Sequence, residues 1–443
     1  MRFSELEGAR VGVWGAGREV ASFAAQLALR LPAARIAVAV FDSPPSEDVS
    51  EILHAPGVEV VGSGEASAAL AGCGVLVRSP GVSIYRPELL ALRAVGMPVT
   101  TATALWLAER GSANVLGVTG TKGKSTTAAL AAHIARAAGH TVQLAGNIGV
   151  PALDLLDQDP TDVTVVELSS YQIADLGIGP EVALVTNVFR EHTDWHGSED
   201  VYRADKLRLL GLGGVRVAVV GEREERIARA HPDIEVEVFG VPGGWVPTET
   251  GISRDGEQAL AREDLPLHGE HNALNVCAAL TALEALGVKS PPLAAALAGF
   301  RPLPHRLETV AEHDGVTWVD DSISTTPESA LAALASFPGR EIVLIGGGQD
   351  RGQDYAQLGR VLAERRVSVV GVPSTGPRLV AAAREAGLPD DRALDAMDMA
   401  GAVEMARGLA TAGAVVLLSP AAPSYDHYAN FEQRGERFRA LAL

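Results

Sequence analysis

Cysteine is almost missing from this chain: Cys73 and Cys277 stand far apart in apolar surroundings. Two thiols without a paired spacing exclude a disulfide framework and a cysteine-built metal centre, and read as buried free thiols. Long apolar runs are missing too, since none reaches the roughly 18 residues that span a bilayer. The N-terminal Met1-Arg-Phe-Ser-Glu-Leu-Glu lacks the basic-then-apolar layout of a signal peptide, so a cytoplasmic protein is expected. Basic charge is scarce: 37 Lys and Arg face 55 Asp and Glu, a net charge of −18. That balance argues against nucleic acid or a membrane surface as partner. It also sets a test, because a site for anionic substrates must then gather its own cations.

The chain has 443 residues, more than one hydrophobic core usually serves, with 47% hydrophobic and 21% charged residues. Short apolar runs alternate with helical stretches. Val11–Trp14, Ile36–Phe41 (closed by Asp42) and Val75–Arg78 read as strands of a first unit ending near Gly111. The pattern restarts at Asn114–Val118 and continues through Val163–Glu167, Val182–Thr186 and Val215–Val220. Residues 221–268 are polar and rich in Gly and Pro, which suits a small β excursion, before a helix over Ala273–Leu286. Phe300-Arg-Pro-Leu-Pro-His305 reads as a linker. Val316–Asp320, Glu341–Ile345, Val367–Val370 and Ala414–Leu418 supply strands for a third unit. Strands alternating with helices imply βαβ units around parallel sheets, hence three α/β units in series.

The chemistry-bearing stretch is Gly117-Val-Thr-Gly-Thr-Lys-Gly-Lys-Ser-Thr-Thr127. A strand that ends in a Gly-rich turn and opens a helix aims backbone N–H groups and the helix dipole at one point, which suits a phosphate. Lys124 would reach the β- and γ-phosphates of ATP, and Ser125 or Thr126 would hold Mg²⁺. Gly117 sits one residue too far from Gly123 for the usual G-x-x-x-x-G-K-S/T, whereas Gly120 to Ser125 keep the core spacing. Glu167 closes an apolar strand, where ligands of open α/β sheets gather; it suits a Mg²⁺ ligand or a loop cap. His192 and His196 follow another strand end and suit a transition metal or plain hydrogen bonding. Gly15 and Gly17 supply two glycines of G-x-G-x-x-G, with Val20 at the third place, so tight packing and a nucleotide site both stay open. A dehydrogenase would need a redox constellation in the remaining units, and none is present.

Taken together the motifs resemble the Mur ligases, ATP-dependent amino-acid-adding enzymes of peptidoglycan synthesis, over essentially the whole chain. The resemblance rests on Gly117–Thr127, Gly146-Asn-Ile-Gly149, Glu167-Leu-Ser-Ser-Tyr-Gln172, Glu191-His-Thr-Asp194 and Tyr202-Arg-Ala-Asp-Lys206. It continues through Gly269–Asn275, Leu303–Arg306, Asp320-Asp-Ser322, Gly346–Arg351, Leu418–Pro420 and Asn430-Phe-Glu-Gln-Arg-Gly435. It implies an α/β protein of three domains in series: a Rossmann-like UDP-binding domain (1–111), a P-loop ATPase-like domain (112–303) and a Rossmann-like amino-acid-binding domain (304–443). The short first domain and the C-terminal motif are most similar to the members that add glutamate to UDP-N-acetylmuramoyl-L-alanine. The implied route is phosphorylation of the alanyl carboxylate, attack of the glutamate amine on the acyl phosphate, and loss of phosphate.

Residue roles follow from the same resemblance. Gly120, Thr121, Lys122, Gly123, Lys124, Ser125 and Thr126 would hold ATP and a first Mg²⁺, with Asn272, Arg306 and Asp321 completing the nucleotide site. Glu167 and His192 would serve two Mg²⁺ ions, bridged by Lys206 as its carbamate. Gly15, Arg18, Ser79 and Gly81 would hold the UDP end, and Asn147, Ser169 and Gln172 the muramoyl peptide. Lys122, Lys124, Lys206, Arg306 and Arg351 are then the local cations that the acidic chain demands. A monomer is expected, because one chain's domains can assemble the site.

Departures from the pattern concern the amino acid. D-Glutamate-adding members carry Asp-Ser-Lys-Ala-Thr-Asn where this chain has Asp321-Ser-Ile-Ser-Thr-Thr326. Ile323 replaces the lysine while Thr325 keeps its place; Arg351 replaces another lysine, and Ser424 and Phe431 remain. An Arg fork reads a carboxylate differently from a Lys point charge. With Trp14–Glu19 and Asp194-Trp-His-Gly197, these changes resemble a divergent branch that adds L-glutamate; D-glutamate is the alternative. A folate-glutamylating relative or a non-catalytic nucleotide binder are the remaining readings, and the second is hard to square with retention of Lys124, Glu167 and Lys206.

Overall fold

The apolar runs fold as strands of parallel sheets in the computed structural model. The structure describes all residues except Ala16, 42–56, Arg190, His192, His268, Pro302 and Leu303. It divides into two units, residues 1–265 with 271–300 and residues 266–270 with 301–443.

The first unit carries two parallel sheets. In the first, β1 (Arg10–Trp14), β2 (Arg35–Phe41), β3 (Glu59–Gly62), β4 (Val75–Arg78) and β5 (Val99–Thr100) take the order 3-2-1-4-5. The second holds β6 (Val115–Thr119), β7 (Val142–Gly146), β8 (Val163–Glu167), β9 (Val182–Val185), β10 (Val217–Val220) and β11 (Glu235–Val238), in the order 11-10-9-6-8-7. Helices cover both faces of such sheets, so the inner strands are apolar throughout. β4, β6, β8, β9 and β10 are buried at every residue. One core joins the two sheets, running from Phe3, Val13 and Phe23 through Trp106 to Val115, Val185 and Val220.

The polar stretch 221–268 contains the small β excursion, an antiparallel sheet of Trp245–Thr248, Gly251–Arg254 and Glu257–Ala261. It also contains β11, whose Glu-Val-Glu-Val alternation fits a half-exposed strand at the edge of the second sheet. The helix expected from Ala273 begins earlier, at Glu270, and ends at Ala285.

In the second unit Glu308–His313 runs antiparallel to Val316–Asp320, followed in the sheet by Val415–Leu418, Ile342–Gly346, Ser368–Gly371 and Ala393–Asp395, mutually parallel. Among the described residues no helix is long and apolar enough to cross a membrane.

Candidate active site

β6 delivers the chain into the predicted phosphate loop, and the helix Lys124–Ala137 opens immediately after Gly123. Both loop glycines are needed as glycine. Gly120 has φ +149°, and a Cβ there would meet Thr186 Oγ1 at 1.9 Å; Gly123 has φ +82°, and a Cβ would meet Asn275 Oδ1 at 2.5 Å. Gly117 has a different task from the one its place in the motif suggests. It lies inside β6, where a Cβ would meet Pro180 Cγ at 2.7 Å, so it permits close packing and takes no part in the loop. This resolves the off-pattern spacing: the loop begins at Gly120.

The loop is pinned from outside. Thr121 N–H donates to Asn187 O (2.8 Å), and Lys122 N–H to Asn187 Oδ1 (2.9 Å). The Thr121 and Tyr202 hydroxyls lie 2.7 Å apart. Lys122 Nζ pairs with Glu191 at 2.7 Å, so its charge is already partnered. Lys124 Nζ folds back on Thr121 O (2.9 Å), and Ser125 and Thr126 are buried in the helix's first turn. Asn272 accepts from Asn275 Nδ2 (3.1 Å), which links it to the residue lying against Gly123.

Glu167, at the end of β8, is fully buried. Its Oε1 accepts from Asn147 Nδ2 (3.2 Å), while Oε2 has no hydrogen-bond partner among the described residues. Lys206 lies at the end of the helix Glu199–Leu207, 2% exposed, and donates to Gly120 O at 2.8 Å. Burial, reinforced by the neighbouring Lys124 charge, pushes its ammonium well below the usual lysine range, against the attraction of Glu191 and Glu167. A buried carboxylate oxygen without a donor, a glycine cradle at a helix start and a buried lysine whose charged form is disfavoured are the features a nucleotide triphosphate with a divalent cation would use. The residues present fit that group. His192, the remaining expected metal ligand, lies outside the described residues.

Lys124 and Lys206 line a cleft of about 390 Å³ together with Arg18, Ser79, Gly81, Asn147, Ser169 and Gln172. Lys206 was expected on metal, and each of the others on a substrate or phosphate. Arg18 crosses from the first sheet's helix to donate to Asn147 O and Gly149 O, both at 3.2 Å. Gly15 and Gly17 face Ser79: a Cβ at Gly15 would meet Ser79 Cβ at 2.5 Å, and one at Gly17 would meet Ser79 Oγ at 3.2 Å. Close approach of two turns therefore explains both glycines, and Val20 lies in the core. Gln172 is more constrained than its expected substrate contact requires. Ser169 N–H and Oγ–H both donate to its Oε1 (2.7 and 2.9 Å), and its Nε2 donates to Glu19 and Thr103.

Sequence reading missed the groups that hold this cleft together. Arg78 is fully buried and pairs with Asp175; it donates to the carbonyls of Ser79, Pro80, Val82 (2.9 Å) and Tyr171 (2.7 Å). The Trp195 indole N–H lies 3.1 Å from Pro80 O and 3.2 Å from Gly81 O. Glu19 is a buried carboxyl whose burial raises its pKa, opposed by hydrogen bonds from Gln172 and Thr103. Arg78 carried a signal in sequence as a charge at the end of an apolar strand, whereas Glu19 and Trp195 entered only inside motifs of the resemblance. His196 is the hydrogen-bonding histidine that its loop position allowed, bonded to Ser170 and Asp205.

The second unit has its own cluster. Asp321 is buried and accepts from Ser419 Oγ (2.8 Å) and Leu307 N–H (3.3 Å); burial raises its pKa to about 6, opposed by hydrogen bonds from Ser324 and Ser419 and by Arg306. Thr325 is half-buried just before the helix Pro327–Ala335, and Ser424 is buried. Phe431 opens the last helix; its carbonyl accepts from Ser322 (2.8 Å), and its ring meets His305 edge-on. Arg351 bonds Gln349 and lies 5.8 Å from the Tyr425 ring centroid.

Residues 118–283 match the Mur ligase middle domain, and residues 305–422 match the "Mur ligase, glutamate ligase domain". A UDP-N-acetylmuramoyl-L-alanine–L-glutamate ligase of Xanthomonas axonopodis pv. citri is 44% identical over 459 residues, covering 100% of this chain and 97% of that protein. One of Salinispora tropica is 44% identical over 449 residues, covering 99% and 98%. Among solved structures, UDP-N-acetylmuramate-alanine ligase from Thermotoga maritima has a TM-score of 0.60 at 17% identity, covering 97% of this chain and 98% of its own. The MurF ligase of Thermotoga maritima in complex with ADP has a TM-score of 0.58 at 18% identity, covering 100% and 96%. At those identities the two structures speak for the fold. The full-length relatives and the two domain matches carry the assignment: this chain belongs to the Mur ligase family of ATP-dependent, amide-bond-forming ligases.

Proposed function

We propose that this ligase joins L-glutamate to the alanyl carboxylate of UDP-N-acetylmuramoyl-L-alanine in peptidoglycan precursor synthesis, splitting ATP to ADP and phosphate. The observation that carries the reading is the convergence of Lys124, Lys206 and the Glu167–Asn147 pair at one cleft between two sheets. The hand of the glutamate is supported by the names of the 44%-identical relatives and by Ile323 and Arg351 in place of lysines.

The work of the site is to bring three anions together and stabilise the charge that moves among them. Gly120 to Gly123 and Lys124 hold the phosphates, and Asn272, Arg306 and Asp321 belong to the nucleotide site. Arg18, Ser79 and Gly81 hold the UDP end, and Asn147 and Ser169 orient the alanyl carboxylate toward the γ-phosphate. The carboxylate oxygen attacks that phosphorus and ADP leaves. The glutamate amine, held with Thr325, Arg351, Ser424 and Phe431, attacks the acyl carbon, loses a proton and expels phosphate. Ser125, Glu167, His192 and Lys206 would hold two Mg²⁺ ions, which would neutralise the crowded oxygens.

Lys206 takes this part as a carbamate. Burial beside the Lys124 charge favours loss of the Lys206 proton, and the free amine would add CO₂ and release a proton to give the carbamate. The product puts a carboxylate next to Lys124 where an ammonium would repel it. The domain division at about residues 111 and 303, a monomeric state and a cytoplasmic setting belong to the same proposal. Phosphate release with ATP, Mg²⁺ and UDP-N-acetylmuramoyl-L-alanine tests it: turnover is expected with L-glutamate. Turnover with D-glutamate alone would overturn the stereochemistry, and none with either would overturn the reaction.

A further inference from the structure

A line of four hydrogen-bonded groups runs beside the cleft, and the reaction as described uses none of them. Ser170 Oγ lies 3.0 Å from His196 Nε2, and His196 Nδ1 lies 2.7 Å from Asp205 Oδ2. Tyr85 donates to both Asp205 oxygens at 2.9 Å. Ser170 and His196 are each 2% exposed and Asp205 8%. The four come from separate elements: Tyr85 follows the Ser79–Gly81 turn, Ser170 opens the short helix after β8, His196 ends the segment Thr193–His196, and Asp205 precedes Lys206. Tyr171, Trp195 and Tyr202 pack around the imidazole with centroids 4.4–5.5 Å away, so the ring is held in place.

The donors and acceptors then fall into one order. A tyrosine hydroxyl bonded to a carboxylate must donate, which leaves Asp205 as acceptor for His196 Nδ1–H as well. In the tautomer with its proton on Nδ1, Nε2 accepts and Ser170 supplies the hydrogen. Ser170, one of the residues lining the cleft, thus turns its proton away from it and keeps its lone pairs. We infer that His196 is a positioning residue that fixes Ser170 Oγ as a hydrogen-bond acceptor for an N–H or O–H group of the sugar–peptide substrate. The inference rests on the proposed reaction and adds a specificity element to it.

The test is steady-state kinetics on the full chain with each of the three substrates varied in turn. In Ser170→Ala and His196→Phe, KM for the UDP-muramoyl substrate is expected to rise about 10-fold, the value of one buried hydrogen bond. KM for ATP and for glutamate should stay within about twofold, because the lost acceptor faces neither. His196→Gln, whose side-chain oxygen can take the place of Nε2, should recover most of the loss. Equal KM rises for all three substrates, an unchanged KM in Ser170→Ala, or a His196→Gln as impaired as His196→Phe would each overturn the inference. Should His196→Phe not fold, Ser170→Ala, which deletes one oxygen, decides alone. A wild type that ligates normally beside unaltered variants sinks only this inference, whereas a wild type that does not turn over sinks the proposed reaction with it.

Discussion

At the end of β6 the chain turns through Gly120 and Gly123, and the backbone itself forms the cradle. At the end of β4, across the same cleft, the turn Ser79-Pro-Gly81 is held from below by Arg78, fully buried, paired with Asp175 and bonded to four carbonyls. One rim is shaped by the absence of side chains and the other by a single large one. In the proposed reaction the first presents N–H groups and cations to phosphate, so losing a side chain there should cost catalysis and spare stability. The second spends its charged group on architecture, so the reverse is expected.

The largest effect tests the first rim. Lys124→Ala and Lys206→Ala should each lower turnover by about 10³-fold or more, as removal of a group that stabilises transferring phosphate does. Thermal unfolding should shift little. The two differ in repair: short carboxylates such as acetate should restore part of the Lys206→Ala activity, because the proposed carbamate would contribute only a carboxylate, and none of the Lys124→Ala activity. Equal behaviour of the two variants with acetate would count against carbamylation. Next comes Arg78→Met, which leaves the buried Asp175 side chain, among the described residues, with the partly exposed Arg93 as its remaining ion-pair partner. Loss of about 3 kcal/mol of unfolding free energy is expected in denaturant titration. An Arg78→Met protein as stable as the wild type would show that the second rim does not depend on its ion pair.

The contrast also explains what the sequence disclosed. Strands β4, β6, β8 and β9 were legible because burial on both faces writes them as uninterrupted apolar runs. β11 was hidden in a polar stretch, since an edge strand needs only one apolar face. Lys124 and Glu167 stood out through local spacing at a helix start and a strand end, and Lys206 only through the family resemblance. Arg78 and Asp175 lie 97 residues apart, and no local pattern announces that they meet. That Ser170, His196, Asp205 and Tyr85 form one hydrogen-bonded line was hidden for the same reason. Gly117 was legible as a glycine and misread in purpose, because a glycine for close packing and one for a phosphate turn are the same letter.

Gly117 therefore gives the third prediction. In Gly117→Ala the new methyl would press on Pro180 at 2.7 Å and Leu168 at 3.2 Å, inside a strand with no positive φ to relieve. A loss of about 1–3 kcal/mol is expected from overpacking, with KM for ATP unchanged at a temperature where the variant is folded. A selective rise in KM for ATP would return Gly117 to the phosphate loop and erase the distinction between the rims.

The smallest effect probes how far the second rim's charge reaches. Glu19, near the start of the helix Arg18–Arg30, has its carboxyl pKa raised by burial and opposed by Gln172, Thr103 and the field of Arg78. A carboxyl with a folded pKa above its unfolded value of 4.5 contributes stability below that value and loses it as pH rises through the folded pKa. Glu19→Gln removes the titration and can keep both hydrogen-bond partners, so the variant should gain on the wild type as pH rises above 4.5. Unfolding free energies at about pH 4, 6 and 8 read this directly, and a difference that does not grow with pH would refute it. The two rims' logic then makes one further demand. Arg78 attracts the Glu19 carboxylate, so without Arg78 the charged form is less favourable still, and Glu19→Gln should stabilise the Arg78→Met protein more than the wild type. Additive effects in that double-mutant cycle would mean that Arg78 serves Asp175 and the carbonyls alone.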